Sequence, residues 1–377
     1  MKKIIMVENQ EFNSAVKIGA HHYAELFAKN GYEVLWLSPA FSLLHFLSDY
    51  KITSQRIKLN KSKRVLLKEN IYGYAPFVVV PFANKPLLDT KFIGKKYMYT
   101  SIPNLRRTFE KLGFAEVDLL WISNIKGYYI KDLVKHKKLV HRLSDEKSGF
   151  KNFYKTLSYF EEDLIKNSDV LFATANNLVR KAKKLKKDVI YLPNGVNYKD
   201  FQKVKYKYPS EYKVFKNQKK CIYIGAIAEW LDVDLIEYNL SKLPHIQFYF
   251  IGPNHGALDK LKKYTNLHIL GKKAYECLPD YLHFSDIAII PFKVNKLTDA
   301  INPVKIFEYL AAGVPTVTTS FKEINYIDGP YETAEDKYEF ANKIKKLLSN
   351  NNDVRTLKKF AAKHDWEVRF KQMLKYL

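Results

Sequence analysis

Only two cysteines, Cys221 and Cys277, occur in 377 residues. That excludes a disulfide framework and makes a reducing compartment, the cytoplasm, the expected setting. No apolar run approaches the roughly 18 residues of a membrane span. The opening MKKIIMVENQ meets Glu8 before an apolar region can develop, so no signal peptide is expected. Acidic residues are scarce beside basic ones: 39 Asp and Glu against 63 Lys and Arg, a formal net charge of +24. This imbalance asks for a polyanionic partner, whether nucleic acid, an anionic membrane surface or a phosphorylated substrate.

What is present is apolar and aromatic. Hydrophobic residues make up 47% and charged ones 27%, a globular composition that sets disorder aside. The 27 Tyr and 24 Phe interleave with lysines, as they do both in RNA binders and in proteins docked on bilayer interfaces. Composition alone does not separate these. The length favours two domains.

The order of elements is α/β throughout. KKIIMV is a strand, AHHYAELFAKN a helix stopped by Gly31, and YEVLWLS the next strand. FVVVP, DLLWI, KLVHR, VLFA and VIYL follow as strands. After LPNGVNYKDF the pattern restarts with KCIYIGAIAEW, IQFYFIG, LHILG, DIAIIPF and PTVTT. Such alternation predicts two doubly wound, mostly parallel sheets with helices on both faces. The boundary falls in the polar stretch 197–220, giving a first domain of residues 1–198 and a second from residue 199. Ligands of such sheets bind beyond the carboxyl ends of the strands, so candidate residues are sought in the loops there, facing a shared cleft.

The richest stretch is INPVKIFEYLAAGVPTVTT, 301–319. Asn302 suits an N-cap and Pro303 a first helical position, while Gly313 suits a left-handed stop before the strand TVTT. Lys305 falls in the first turn, where free amides and the helix dipole attract phosphate, and Glu308 lies on the same face. Together they suit a nucleotide, the carboxylate taking a ribose diol and the lysine a diphosphate. An i,i+3 ion pair on a solvated helix is the plainer alternative.

Other candidates follow strands. Gly225 lets backbone approach a phosphate, and Phe292 either packs on a nucleobase or is core. Lys17, with His21 and His22 in the helix opened by Gly19, could hold an acceptor. Adjacent histidines cannot share a helix face, so at least one is packing or solvated. Asp145 and Glu146 in RLSDEKSGF are placed to offer a general base, or a helix cap, or a partner for Arg142. Asp232 and Asp234 spell D-x-D but open a helix, and are read as capping, not metal ligation. FSLLHFLSDY and KFIGKKYMYTSIPNLRR suit an interfacial patch on the first domain, or loops packed on the core.

With these residues in view, the chain resembles GT-B glycosyltransferases. NPVKIFEYLAAGVPTV is similar to the donor block of bacterial family-4-like enzymes. KIGAHHYAELFAKNGYEVLWLSP, RLSDEKSGF, GAIAEW and HDWEVRFKQML look like the subgroup of the xanthan glucuronosyltransferase. The resemblance implies a donor-nucleotide site at Gly225, Ile227, Phe292, Asn302, Val304, Lys305 and Glu308. It also implies acceptor contacts at Lys17 and His22, and a terminal segment, 356–377, crossing back onto the first domain. Retaining family-4 enzymes carry an earlier glutamate where this chain has Ala300, and Arg and Lys where it has Ala226 to Glu229. The resemblance therefore implies an inverting hexosyl- or glucuronosyltransferase, with Asp145 as base, Lys305 stabilising the leaving diphosphate, and neither cofactor nor metal. Its expected partners are a UDP-sugar, a lipid-linked saccharide and the anionic inner face of the plasma membrane. A basic nucleic-acid binder is the rival from another class, for which the Asn302–Glu308 constellation would be unnecessary; under the resemblance nucleic acid is not a partner.

Overall fold

A parallel strand flanked by helices is buried on both faces and reads as an unbroken apolar run. The computed structural model follows that rule: residues 4–7 and 34–37 are at most 2% exposed. It describes residues 1–14, 17–48, 50–61, 63–144 and 155–377. The chain divides into two units, Met1–Pro193 with Phe370–Leu377, and Asn194–Arg369.

The first unit carries β1 (Lys2–Val7), β2 (Tyr32–Leu37), β3 (Val65–Lys68), β4 (Ile71–Tyr74), β5 (Phe77–Val78), β6 (Ser101–Ile102), β7 (Glu116–Ile122), β8 (Lys135–Leu143), β9 (Val170–Ala173) and β10 (Ile190–Tyr191). Eight of them form one sheet in the order β10-β9-β8-β7-β1-β2-β4-β3. All its neighbours are parallel except β3 against β4. That hairpin turns at Asn70, φ +57. FVVVP, expected as a sheet strand, is extended only at Phe77 and Val78, which pair with β6 in a separate antiparallel ribbon. Prolines on either side, Pro76 and Pro81, limit further pairing, and Val79 and Val80 stand exposed.

The second unit carries β11 (Lys219–Ile224), β12 (Ile246–Ile251), β13 (Leu267–Gly271), β14 (Ile287–Ile290), β15 (Thr316–Thr319) and β16 (Glu332–Ala334). They form an all-parallel sheet in the order β13-β12-β11-β14-β15-β16. The chain runs outward from β11 to β13, then returns to lay β14 beside β11. The first sheet reverses likewise between β1 and β7. Each reversal leaves a crevice at the carboxyl ends of the two strands.

The crossover points differ somewhat from the sequence boundaries. Helix Val354–Ala362 stays in the second unit, where Leu357 and Ala361 join the core. Val196 N donates to His364 O at 3.0 Å and Trp366 N to Val196 O at 3.1 Å, holding both ends of that unit together. Only Phe370–Leu377 belong to the first unit. There Phe370 meets Phe27 edge-on at 5.1 Å, and Lys138 Nζ donates to Leu377 O at 2.8 Å. Among the described residues, no helix is long and apolar enough to cross a membrane.

Candidate functional site

The crevice of the second sheet gathers most of the residues singled out above. Helix Val304–Ala311 points its N-terminus there, and Gly313, φ +80, ends it as expected. Asn302 is not its N-cap: the cap position is Pro303, with no side-chain bond. Asn302 is instead 4% exposed and occupied elsewhere. Its Oδ1 accepts from Asn194 N at 3.0 Å and its carbonyl from Asn194 Nδ2 at 2.9 Å, while Nδ2 reaches Glu323 Oε1 at 3.5 Å. Those bonds fix the chain entering the helix.

Lys305 follows in the first turn beside the half-buried Val304. Its side chain lies directly over Gly225. A Cβ built on that glycine would come within 2.3 Å of Lys305 Cε and 2.9 Å of Nζ, and Gly225 itself has φ +153. Both space and backbone thus demand glycine at the end of β11. Gly252 repeats the demand at the end of β12, since a Cβ there would stand 2.1 Å from Gly225 O. The Lys305 ammonium sits 5.8 Å from the Tyr223 ring centre and 5.6 Å from that of Phe292. Phe292 is 2% exposed and packs against Phe321, so it forms a wall of the crevice and has no free face for a base. Ile227 is fully buried, with its N–H donated to Pro253 O and its carbonyl accepting from His255 N.

Glu308 stands one turn along from Lys305, and the two form no close ion pair: they sense each other's charge without a salt bridge. Each keeps some open surface, yet the surrounding protein strips water from both. Burial lowers the Lys305 pKa against the pull of Glu308. Burial raises that of Glu308 to about 7, with Asp200 adding to the rise and Lys305 opposing it. A half-protonated carboxyl and a poorly solvated ammonium on one helical face are unusual for a structural helix.

Some residues of this site escaped the sequence reading. Tyr309, fully buried, clamps the helix to the strand: its hydroxyl accepts from Ile224 N at 2.8 Å and donates to Ile224 O at 3.2 Å. Tyr309→Phe leaves both backbone groups unsatisfied. It should therefore lower unfolding stability by about 1–3 kcal/mol, measured by urea titration. Tyr275 lies near Glu308 and Asp200, its hydroxyl pKa raised by burial first and by those carboxylates next. It follows β13, so a search of every strand's carboxyl end would have found it.

Asp232 caps helix Val233–Lys242 through Leu235 N at 3.0 Å, as its position in the sequence suggests. Among the described residues, no three His, Cys, Asp or Glu side chains are grouped to share a metal ion.

The remaining candidates belong to the first unit. Asp145 and Glu146 lie outside the described residues. Lys17 is engaged by Glu25 at 3.0 Å, and Glu25 also holds Lys68 at 2.8 Å. Of the paired histidines, His21 is the packed one: its Nδ1 accepts from Ile18 N, Nε2 meets Glu11 O, and its ring lies 4.7 Å from Trp36. His22 is half-buried, its pKa lowered to about 4 by burial, with Glu25, Lys17 and Arg142 around it. It is therefore neutral at pH 7. At the β1/β7 reversal, Glu8 is wholly buried and accepts from Ser123 Oγ at 3.0 Å, which in turn accepts from Trp121 Nε1. No local sequence pattern marks Glu8 for this place.

Residues 218–350, within the second unit, match the family model described as Glycosyl transferases group 1. TuaH of Bacillus subtilis (strain 168), named as a teichuronic acid biosynthesis glycosyltransferase, is 30% identical over 165 residues. That alignment covers 41% of this chain and 42% of TuaH, so the chain matches less than half of that relative's length. Among solved structures, a glycosyltransferase from Rickettsia africae ESF-5 is similar with a TM-score of 0.68 at 14% identity, over 100% of this chain and 97% of that one. HepE of Anabaena, solved with UDP, gives 0.64 at 14% identity over 100% and 99%. At such identities the likeness speaks for the fold, which is of the GT-B type with two Rossmann-like units.

Proposed function

We propose that the chain is a glycosyltransferase moving a sugar from a UDP-sugar to a hydroxyl of a lipid-linked or cell-surface saccharide in polysaccharide biosynthesis. One observation carries this reading. Lys305 is a desolvated cation at a helix N-terminus, lying over Gly225 at a sheet reversal, with no close ion pair among the described residues. A diphosphate supplies the charge that this lysine and the free amides beside it lack. Glu308, one turn on, is placed to accept the hydroxyls of a ribose. The choice of UDP is supported by its presence in the HepE structure.

In the reaction the acceptor oxygen bonds to the anomeric carbon while the bond from that carbon to the diphosphate oxygen breaks. The electron pair leaves with UDP, whose growing charge Lys305 and the helix amides meet. The acceptor proton passes to a base, for which Asp145 is proposed, with Lys17 and His22 on the acceptor side. The sequence departures at Ala300 and at Ala226 to Glu229 favour inversion without a metal, as in the xanthan glucuronosyltransferase subgroup. The net charge of +24 suits an acceptor carried on a lipid diphosphate at the inner membrane face.

Calorimetric titration with UDP, GDP and ADP tests the donor site. UDP binding that is selective and lost in Glu308→Ala is the expected result. Folded wild type that binds none of the three overturns the reading. The anomeric configuration of the product, read by NMR, then decides between inversion and retention.

A further inference from the structure

We infer that the excursion between β4 and β7, residues 79–102, together with the adjoining helix Leu43–Ser48, docks on an anionic phospholipid bilayer. This deepens the reading of a membrane-borne acceptor by assigning the surface that meets the membrane.

Apolar side chains stand out from residues 79–102 and from the start of helix Leu43–Ser48. Leu87 is 85% exposed, Phe92 74%, Leu43 72%, and Val79 and Ile102 56% each. Local bonds tie together the segments that carry Leu43, Val79 and Ile102. Val79 N donates to Thr100 O at 3.2 Å, and Val80 N to Thr100 Oγ1 at 3.2 Å. Phe41, two residues before Leu43, pairs with β5: its N–H reaches Pro76 O, and its carbonyl accepts from Val78 N at 2.8 Å.

Leu87 is the most telling of them. Its φ is +69, in the left-handed region that a leucine enters only against steric resistance. Bonds from Leu88 N and Asp89 N to Lys85 O fix the turn around it. A strained backbone that holds a leucine out in water gains nothing from packing. The bonded turn imposes that conformation and leaves the leucine side chain in water.

Charge names that partner. From Val79 to Arg107 the chain has Lys85, Lys91, Lys95, Lys96, Arg106 and Arg107 against one acid, Asp89, and one oxygen of that carboxylate is buried. Lys91 sits 3.4 Å from the Tyr159 ring centre and Lys96 5.1 Å from that of Tyr99. Aliphatic prongs ringed by lysines match the headgroup and acyl boundary of an anionic leaflet. A protein interface core is depleted in lysine. RNA has no use for exposed Leu, Val and Ile, since it binds by stacking and by phosphate contacts.

Flotation of the full chain with vesicles of phosphatidylcholine, with and without phosphatidylglycerol, tests this at low and high salt. Two variants are compared with wild type: Leu87→Gly with Phe92→Ser, and Lys91→Glu with Lys95→Glu and Lys96→Glu. Glycine at 87 removes the side chain and relieves the backbone, so the first variant keeps its melting temperature. Wild type should bind only the phosphatidylglycerol vesicles, in a salt-sensitive manner, and both variants should bind them at least about tenfold more weakly. UDP titration curves should be unchanged throughout. Wild type that leaves those vesicles unbound, or variants that bind as wild type does, overturn the proposal. So does single-stranded RNA retained in place of vesicles. Loss of UDP binding by every protein would strike the donor-site reading and leave this one standing.

Discussion

Lys305→Ala should lower turnover by about 100- to 1,000-fold, the usual effect of removing one donor aimed at developing charge. The ammonium lies over Gly225, between the rings of Tyr223 and Phe292. Water is largely displaced there, so a leaving diphosphate would feel the charge with little screening. The same burial lowers the lysine's pKa in the folded chain. Folding therefore works against this cation, and removing it should not cost stability through charge. Activity and stability then separate. The rate of UDP release should collapse while the melting temperature stays within a few degrees of wild type. A variant that keeps turnover within about threefold, well below the factor a transition-state donor supplies, would remove Lys305 from the chemistry. The aliphatic stem also fills the space above Gly225, so Lys305→Met is a useful companion. It retains the packing and should lose as much activity as alanine.

The part of this site that a reader of the sequence could see is the part built from neighbours along the chain. The i,i+3 pair Lys305 and Glu308, the stop at Gly313 and the buried strand TVTT are all local signals, and the structure has each in its expected place, while the helix starts one residue later than expected, with Pro303 at the cap. Asn302 shows where locality ends. Its residue type suits a cap, but Asn194, 108 positions away, claims the side chain. Tyr309 was illegible for the same reason, because its partner Ile224 is 85 residues distant and nothing near Tyr309 in sequence points there. In the first unit, β3 alternates half-buried and exposed residues as an edge strand does, so a search for unbroken apolar runs passed over the β3–β4 hairpin. The run FVVVP erred the other way. It is apolar enough for a strand, yet flanking prolines leave it only two paired residues, and Val79 and Val80 face solvent. Of the two histidines, alternation on a helix said only that they differ. Tertiary packing against Phe12 and Trp36 made His21 the structural one.

Glu308→Gln should act on binding and stability in opposite senses, and pH should separate the two. In the folded chain the Glu308 carboxyl titrates at about 7, raised chiefly by burial, whereas an unfolded glutamate titrates near about 4.3. The folded state thus holds the proton more tightly, and its stability is greatest below the unfolded value. As pH rises from about 4 to about 7 that contribution is lost; the shift corresponds to at most about 4 kcal/mol, reduced by solvent screening because the side chain keeps some open surface. The glutamine variant never ionises. It should unfold at higher urea than wild type at pH 8 and at nearly equal urea at pH 4.5. Binding runs the other way, because only the ionised carboxylate accepts both hydroxyls of a ribose. Wild-type affinity for UDP should climb between pH 6 and 8, and the variant's should stay flat. At pH 8 the difference should be about 10- to 100-fold, the worth of hydrogen bonds to a charged group. Tight binding by the variant at pH 8 would place the ribose elsewhere. A wild-type affinity that is flat across the same range would mean that the bound nucleotide does not depend on this carboxylate's charge, and the stability curves alone would then report its titration.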